Sequence, residues 1–212
     1  MKTILKLSTV LGLLVALNVQ RAPQAYFATA TPAKAVPTAA GKTYKVNTKT
    51  SVLNWVGTKA SGTHAGTIAI KTGELTDNKG QLTGGKVTLD MASLTNTDLT
   101  GKSKDGLEGH LKSPDFFDVA QYPTAEFVIT GLNSIVATTA VKVGDATHNI
   151  TGNLTMKGIT KSVTFPAVVA VTKKTVSANA TFNVDRNEWG ITYGEGKVNK
   201  EINLKLNLMA VK

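Results

Sequence analysis

Cysteine is absent from the 212-residue sequence. That excludes disulfides, thiolate metal sites, a cysteine nucleophile and a lipidated N-terminal cysteine, so packing alone must hold the fold. Histidine is scarce as well. The three present, His64, His110 and His148, stand at spacings that match no local zinc motif, and neither a metal nor another cofactor is expected. Acidic residues number 14 against 24 basic ones. The basic excess is scattered over polar strand positions and turns, as at Lys71, Lys79, Lys86, Lys173 and Lys205, which describes a solvated face and not a nucleic-acid stripe. No nucleic-acid partner is expected, whereas transient contact with an anionic membrane surface stays open.

Long apolar runs are also missing. The stretch Leu7–Leu17 spans about eleven residues, against the roughly twenty that a bilayer-crossing helix needs. It follows Lys2 and Lys6, and no acidic residue occurs in residues 1–30, which is the layout of a secretory signal. Residues 1–25 are therefore expected to be a signal peptide, with cleavage between Ala22 and Ala30, and the chain to be periplasmic or secreted. Residues 26–42, rich in Ala, Thr and Pro, have too little apolar surface to fold and are expected to be a disordered linker. Residues 43–212 are long enough for one domain with one core.

What the sequence does contain is period-two alternation, which places every second side chain on one face of a strand. Leu53 and Trp55 share a parity; Ile68 with Ile70, Val87 with Leu89 and Met91, Phe127 with Ile129, and Ile150 with Leu154 and Met156 follow. The run Ile202-Asn-Leu204-Lys-Leu206-Asn-Leu208 is the cleanest case. Turn signals at Asp77-Asn-Lys-Gly80, Gly144-Asp145 and Gly194-Glu-Gly196 separate these runs by short links and favour up-and-down antiparallel pairing. The fold class expected is all-β, an extended antiparallel barrel of about eight strands. Its inner wall would hold Leu53, Trp55, Ile70, Leu89 and Met91, then Phe127, Ile129, Leu154 and Met156, and the aromatics Phe165, Phe182 and Trp189. The same alternation would serve a solid barrel or a hollow one.

One segment, Asn96 to Pro123, is too long for a barrel turn and reads as a lid. Within it Ser113-Pro114-Asp115 has the pattern of a helix start, with serine at N-cap, proline next and an acid in the first turn. Phe116 and Phe117 would pin that short helix over the barrel and contribute to the ligand site.

Four motifs in this order resemble the YceI-like family. They are Ser51-Val-Leu-Asn-Trp55; His110-Leu-Lys-Ser-Pro-Asp-Phe-Phe-Asp-Val-Ala-Gln-Tyr-Pro123 with Ala125-Glu-Phe127; Ile150-Thr-Gly-Asn-Leu-Thr-Met-Lys-Gly158; and Asp185-Arg-Asn-Glu-Trp-Gly-Ile191. The resemblance implies a lipocalin-like barrel whose tunnel binds a long-chain apolar small molecule, a polyisoprenoid, fatty acid or similar amphiphile. It also implies export and is compatible with a homodimer. Two departures bear on the ligand's head group: Glu108 stands where an arginine is common, and Gly62-Thr-His-Ala-Gly66 replaces a more apolar stretch.

His110 and Arg186 are the head-group candidates, Arg186 because a guanidinium suits a carboxylate or phosphate. The plainer reading of Asp185-Arg186 is a pair at a strand end that fixes the rim, and of His64, between Gly62 and Gly66, a residue at a turn or bulge. A hydrolase could be drawn from His110, Ser113 and Asp115 or Asp118, but neither a nucleophile elbow nor an oxyanion hole is visible. No catalytic residue is assigned. A lipid-modifying hydrolase or isomerase, and a structural or stress protein with a solid barrel, remain the alternatives to a carrier. The sequons at Asn149, Asn153 and Asn179 are read as strand composition.

Overall fold

The computed structural model describes residues 41–135 and 145–212. The expected signal peptide lies outside the described residues, as do residues 26–40 of the expected linker and Gly144 of the expected turn. The strands are β1 Lys42–Val46, β2 Val52–Lys59, β3 Gly62–Asn78, β4 Gln81–Asn96, β5 Thr124–Ser134, β6 His148–Met156, β7 Ile159–Val171, β8 Thr175–Asp185 and β9 Val198–Val211. Between β4 and β5 lies the helix α1, Gly101–Lys112, and after β8 a short 3-10 helix, Arg186–Trp189.

All neighbouring strands pair antiparallel, and β2 pairs with both β3 and β9, so β2 to β9 form a closed ring of eight. β1 is an additional strand. It pairs with β3 over Lys42–Lys45 and with β9 at Lys45 and Val46, below the stretch that β2 occupies. β1 and β2 thus fill successive halves of one wall position, separated by Asn47–Ser51. The Ser51 hydroxyl bridges that interruption, donating to the Met209 carbonyl and accepting from its amide. Backbone groups that an open sheet would leave unpaired are satisfied in this way.

Tight hairpins set the register. At β3–β4 the residues Lys79 and Gly80 both take positive φ, 53° and 83°, and at β6–β7 Lys157 and Gly158 do the same, at 49° and 75°. Two successive left-handed residues match the twist of an antiparallel pair, and glycine at the second position removes half of the steric cost.

The two ends of the barrel differ. The end carrying β1 and the β3–β4 hairpin is a solid floor: Tyr44, Val176 and Ala210 are wholly buried, and the Tyr44 hydroxyl donates to the Thr172 carbonyl at 3.1 Å. Ile70, expected on the tunnel wall, is buried in the core cluster that also holds Tyr44 and Val46. The opposite end, with α1, the β2–β3 and β6–β7 hairpins and the 3-10 helix, is the mouth.

The lid differs from expectation in its helix. α1 ends at Lys112, and Ser113 is its C-cap, with its amide and hydroxyl both donating to the His110 carbonyl at 3.1 and 2.8 Å. Phe116 and Phe117 therefore follow the helix in a turn. The pair Ser-Pro suits either end of a helix, because proline also commonly follows a C-cap. The true helix, Gly-Lys-Ser-Lys-Asp-Gly-Leu-Glu-Gly-His-Leu-Lys, contains three glycines and no fully buried residue, so its local signal is weak. Glu108 holds it by accepting from Thr95 Oγ1 at 2.6 Å and from the Asn96 amide at 2.8 Å, which keeps this carboxyl below its ordinary range.

Replacing Tyr44 tests the floor. Tyr44→Phe is expected to cost about 1 kcal/mol for the lost hydrogen bond, and Tyr44→Ala roughly 3–5 kcal/mol because it opens a void, both read from chemical denaturation midpoints.

Candidate functional site

Above the floor the barrel is hollow. A cavity of about 420 Å³ opens at the mouth and is lined almost wholly by apolar side chains. Of the residues expected on its wall, Leu53, Trp55, Leu89, Met91, Phe127, Ile129, Leu154, Met156, Phe165 and Phe182 line it, and Phe116 and Phe117 close over it. Ile70 and Trp189 do not. Trp189, on the 3-10 helix, is fully buried outside the lumen, and its indole N–H donates to the Leu154 carbonyl at 3.1 Å. Phe165 and Phe182 stack at 4.1 Å between centroids, and Phe127 abuts Phe165 at 5.5 Å, giving one aromatic flank.

Two glycines keep the bore open. A Cβ at Gly66, directly across from Trp55, would lie 2.4 Å from the indole, and one at Gly152 would lie 2.2 Å from the Phe127 ring. Each large ring lies against the neighbouring strand where a side chain is missing, so it flanks the lumen and does not plug it.

The cavity also takes in Ile202, Leu204, Leu206 and Leu208 of β9, together with Ile68, Ile150 and Val163. Their period-two pattern was visible in the sequence, and parity alone could have placed them inside. Leu107, Leu111, Ile191 and Tyr193 had no such signal, because α1 and the loop after the 3-10 helix bring them over the mouth.

His64 sits within regular β3–β2 pairing, opposite Gly57, and its side chain lines the cavity. Of the expected turn or bulge, the turn lies earlier, between Lys59 and Gly62, while the pairing of β2 with β9 shifts register between Gly57 and Lys59, beside the residue that His64 faces; β3 parity turns the imidazole inward. Its Nδ1 is 2.8 Å from Asp98 Oδ2. Asp98 also accepts from the Ala65 amide at 2.7 Å and from Asn96 Nδ2 at 2.6 Å. Those bonds, led by the one from Ala65 and followed by that from His64, lower its pKa from 3.8 to about 2. An ionised carboxylate only accepts, so His64 Nδ1 is the protonated nitrogen.

His110 lines the same cavity. Its Nε2 lies 3.2 Å from Asp115 Oδ2, and its ring stands edge-on to Phe116 at 5.0 Å and to Tyr193 at 4.5 Å. This aromatic contact joins the lid to the loop that follows the 3-10 helix. Ser113 donates to the His110 carbonyl and not to its ring, so the residues do not assemble as nucleophile and base. His148 lies at the floor end, paired with Ser134 and Ala167, and the three histidines are not gathered at one point.

Arg186 is buried, with 3% exposure. Its guanidinium donates to the carbonyls of Ile191, Val198 and Asn199, clamping the loop between the 3-10 helix and β9. Burial lowers its pKa, opposed by the charges of Asp185 and Glu195. Asp185 instead accepts from Lys200 at 3.0 Å and caps the 3-10 helix through the Asn187 amide. The rim role is thus carried by two residues acting separately, and the donors of Arg186 are largely spent on the protein.

Comparison with known proteins fits this geometry. A YceI-like domain model matches residues 44–210. The chain belongs to that family. Among curated relatives of this YceI-like chain, a UPF0312 protein of Pseudomonas putida is 37% identical over 109 residues, 49% of this chain and 52% of the relative. One from Pseudomonas fluorescens is 35% identical over the same length. The match thus spans about half the length of these relatives. Among solved structures, Burkholderia cenocepacia BcnA superposes with a TM-score of 0.60 at 25% identity, covering 78% of this chain and 99% of that one. A polyisoprenoid binding domain from Saccharophagus degradans implicated in plant cell wall breakdown gives 0.56 at 13% identity, covering 79% and 97%, and shares the fold.

Two outcomes check the site. Gly152→Ala is expected to drive Phe127 into the lumen, lowering stability by roughly 1–3 kcal/mol and weakening binding of a fluorescent long-chain probe. The Asp98 carboxylate, with its depressed pKa, stabilises the mouth fully above pH 3.8, and this contribution is lost as pH falls to about 2. Thermal midpoints measured across that window are expected to fall more steeply for the wild type than for Asp98→Asn.

Proposed function

We propose that this chain is a non-catalytic carrier that sequesters one elongated apolar molecule, a polyisoprenoid, fatty acid or similar amphiphile, in its barrel. The observation that carries this reading is the apolar cavity of about 420 Å³ above a buried floor and below the mouth framed by α1. That volume falls within the range of about 300–1,000 Å³ in which proteins hold small ligands. Burial supplies about 0.8 kcal/mol per methylene, so roughly ten buried methylenes give a gross ~8 kcal/mol before the cost of ordering the chain.

Membership of the YceI-like family and the fold shared with a polyisoprenoid binding domain support the ligand class. In this reading the chain end enters when Phe116 and His110 move away from Tyr193, because those rings are held to the far rim by contacts of one aromatic cluster. Export is part of the proposal. It rests on the basic start and short apolar run of residues 1–25, with residues 26–42 as a spacer and the mature domain acting in the periplasm or outside the cell.

Mass spectrometry of organic extracts from gently purified protein is expected to return a long-chain compound in near-stoichiometric amount. Ligand-free protein that also fails to bind added long-chain probes would refute the carrier reading. N-terminal sequencing of the exported form tests the signal peptide, with the first residue expected between 23 and 30.

A further inference from the structure

Lysines that are scattered in the sequence gather in the folded chain. Seven exposed ones lie in the floor half of the barrel: Lys42 and Lys45 on β1, Lys49 in the link to β2, Lys71 in β3, Lys79 in the β3–β4 hairpin, and Lys173 and Lys174 in the β7–β8 hairpin. Among the described residues that half holds three carboxylates, Glu74, Asp77 and Asp145, and Asp77 is buried. None of the seven lysines forms an ion pair among the described residues.

The mouth half differs. There Lys104 pairs with Glu108 at 3.7 Å, Lys161 with Glu188 at 3.3 Å and Lys200 with Asp185 at 3.0 Å. Asp98, Asp105, Asp115, Asp118 and Glu195 stand against the remaining basic groups. The positive excess of the described chain is therefore concentrated at the closed end, and charge is separated along the barrel axis.

Exposed apolar side chains accompany this excess. Met209 and Val211, the last outward-facing residues of β9, are 37% and 39% exposed. Val211 lies directly across from Lys45 on β1 and from Thr175 on β8, and the next amide, that of Lys212, donates to the Lys174 carbonyl at 3.1 Å. Ammonium groups on flexible stems around an apolar spot suit a surface in which fixed negative charge overlies hydrocarbon. A nucleic acid would call instead for guanidinium groups and exposed stacking rings, and among the described residues the floor half exposes neither.

We propose that the floor half docks on an anionic phospholipid surface, with Lys45, Lys173 and Lys174 meeting the phosphates and Met209 and Val211 resting at headgroup level. The mouth then faces away from that bilayer. A barrel docked in this way presents its opening across the aqueous space and does not draw on the leaflet beneath it. The docking does not depend on what fills the cavity.

Partition of the full chain is measured on vesicles of phosphatidylcholine alone and of phosphatidylcholine mixed with phosphatidylglycerol. The mixed vesicles are expected to bind at least about thirtyfold more tightly at low salt, with most of that gain lost at high salt. Lys45→Gln, Lys173→Gln and Lys174→Gln combined are expected to cut the gain about tenfold or more, since each lysine near such a surface is worth roughly fivefold. The mouth set Lys102→Gln, Lys112→Gln and Lys197→Gln is expected to leave it within about twofold. Residues 1–40 are common to all three proteins and cancel in the comparison. Because the chain has no cysteine, a polarity-sensitive dye can be placed at one point. Its emission is expected to shift to the blue on mixed vesicles when carried by Thr48→Cys, beside Lys49, and to stay in place when carried by Ser61→Cys, in the β2–β3 hairpin. No preference for the mixed vesicles, equal loss from both triple variants, or a shift at position 61 with none at position 48 overturns the docking. Tighter binding to a short DNA duplex than to the mixed vesicles at the same salt overturns the lipid assignment. Each of these results leaves ligand binding in the cavity untouched, so the carrier reading stands or falls separately.

Discussion

Ring closure through β2 is the constraint on which the rest depends. β2 is only eight residues long, yet it pairs with β3 on one side and β9 on the other, joining two sheet ends that only β1, at the floor, would otherwise bridge. Closure satisfies the edge hydrogen bonds and curves every strand so that one parity of side chains faces a common interior. Trp55 then meets Gly66 and Leu204, and Leu53 meets Ile68 and Leu206, across its two seams. An open sheet would have these side chains but no lumen.

Whether a closed barrel is solid or hollow is decided by which residues face one another. At the floor Tyr44, Leu82 and Val176 are buried in the core and do not line the cavity, and β1 supplies extra wall there. Higher up, the largest rings lie beside glycines, and the same apolar composition leaves a void. The polar groups follow the same division. Those that line the cavity stand toward the mouth, where Arg186, Asp98 and Glu108 fasten the loops that frame the opening.

Much of the barrel was legible in the chain because its signal is local. Period two, the Asp77-Asn-Lys-Gly80 turn and the length of the Asn96–Pro123 segment each depend on a few adjacent residues. The helix was harder: Ser113-Pro114 carries a helix boundary, but a local pattern does not say which boundary, and the contact that stabilises α1 runs from Glu108 back to Thr95 and Asn96. Of the candidate wall residues, Ile70 keeps the inward parity of Ile68 but is buried in the core without lining the cavity. Trp189 was misplaced because it belongs to a 3-10 turn, where strand parity has no meaning.

The sequence by itself determined the all-β class, the family, the inward parity of most strands and the position of the long loop, since each is written in neighbouring residues or in motif order. Tertiary structure alone decided that the barrel is hollow above its floor, that Arg186 is spent as a clamp and that His64 and His110 line one cavity. The reason is physical. Space depends on side chains from strands far apart in the chain, such as Phe127 and Gly152, and a donor's availability depends on which distant carbonyls or carboxylates already occupy it.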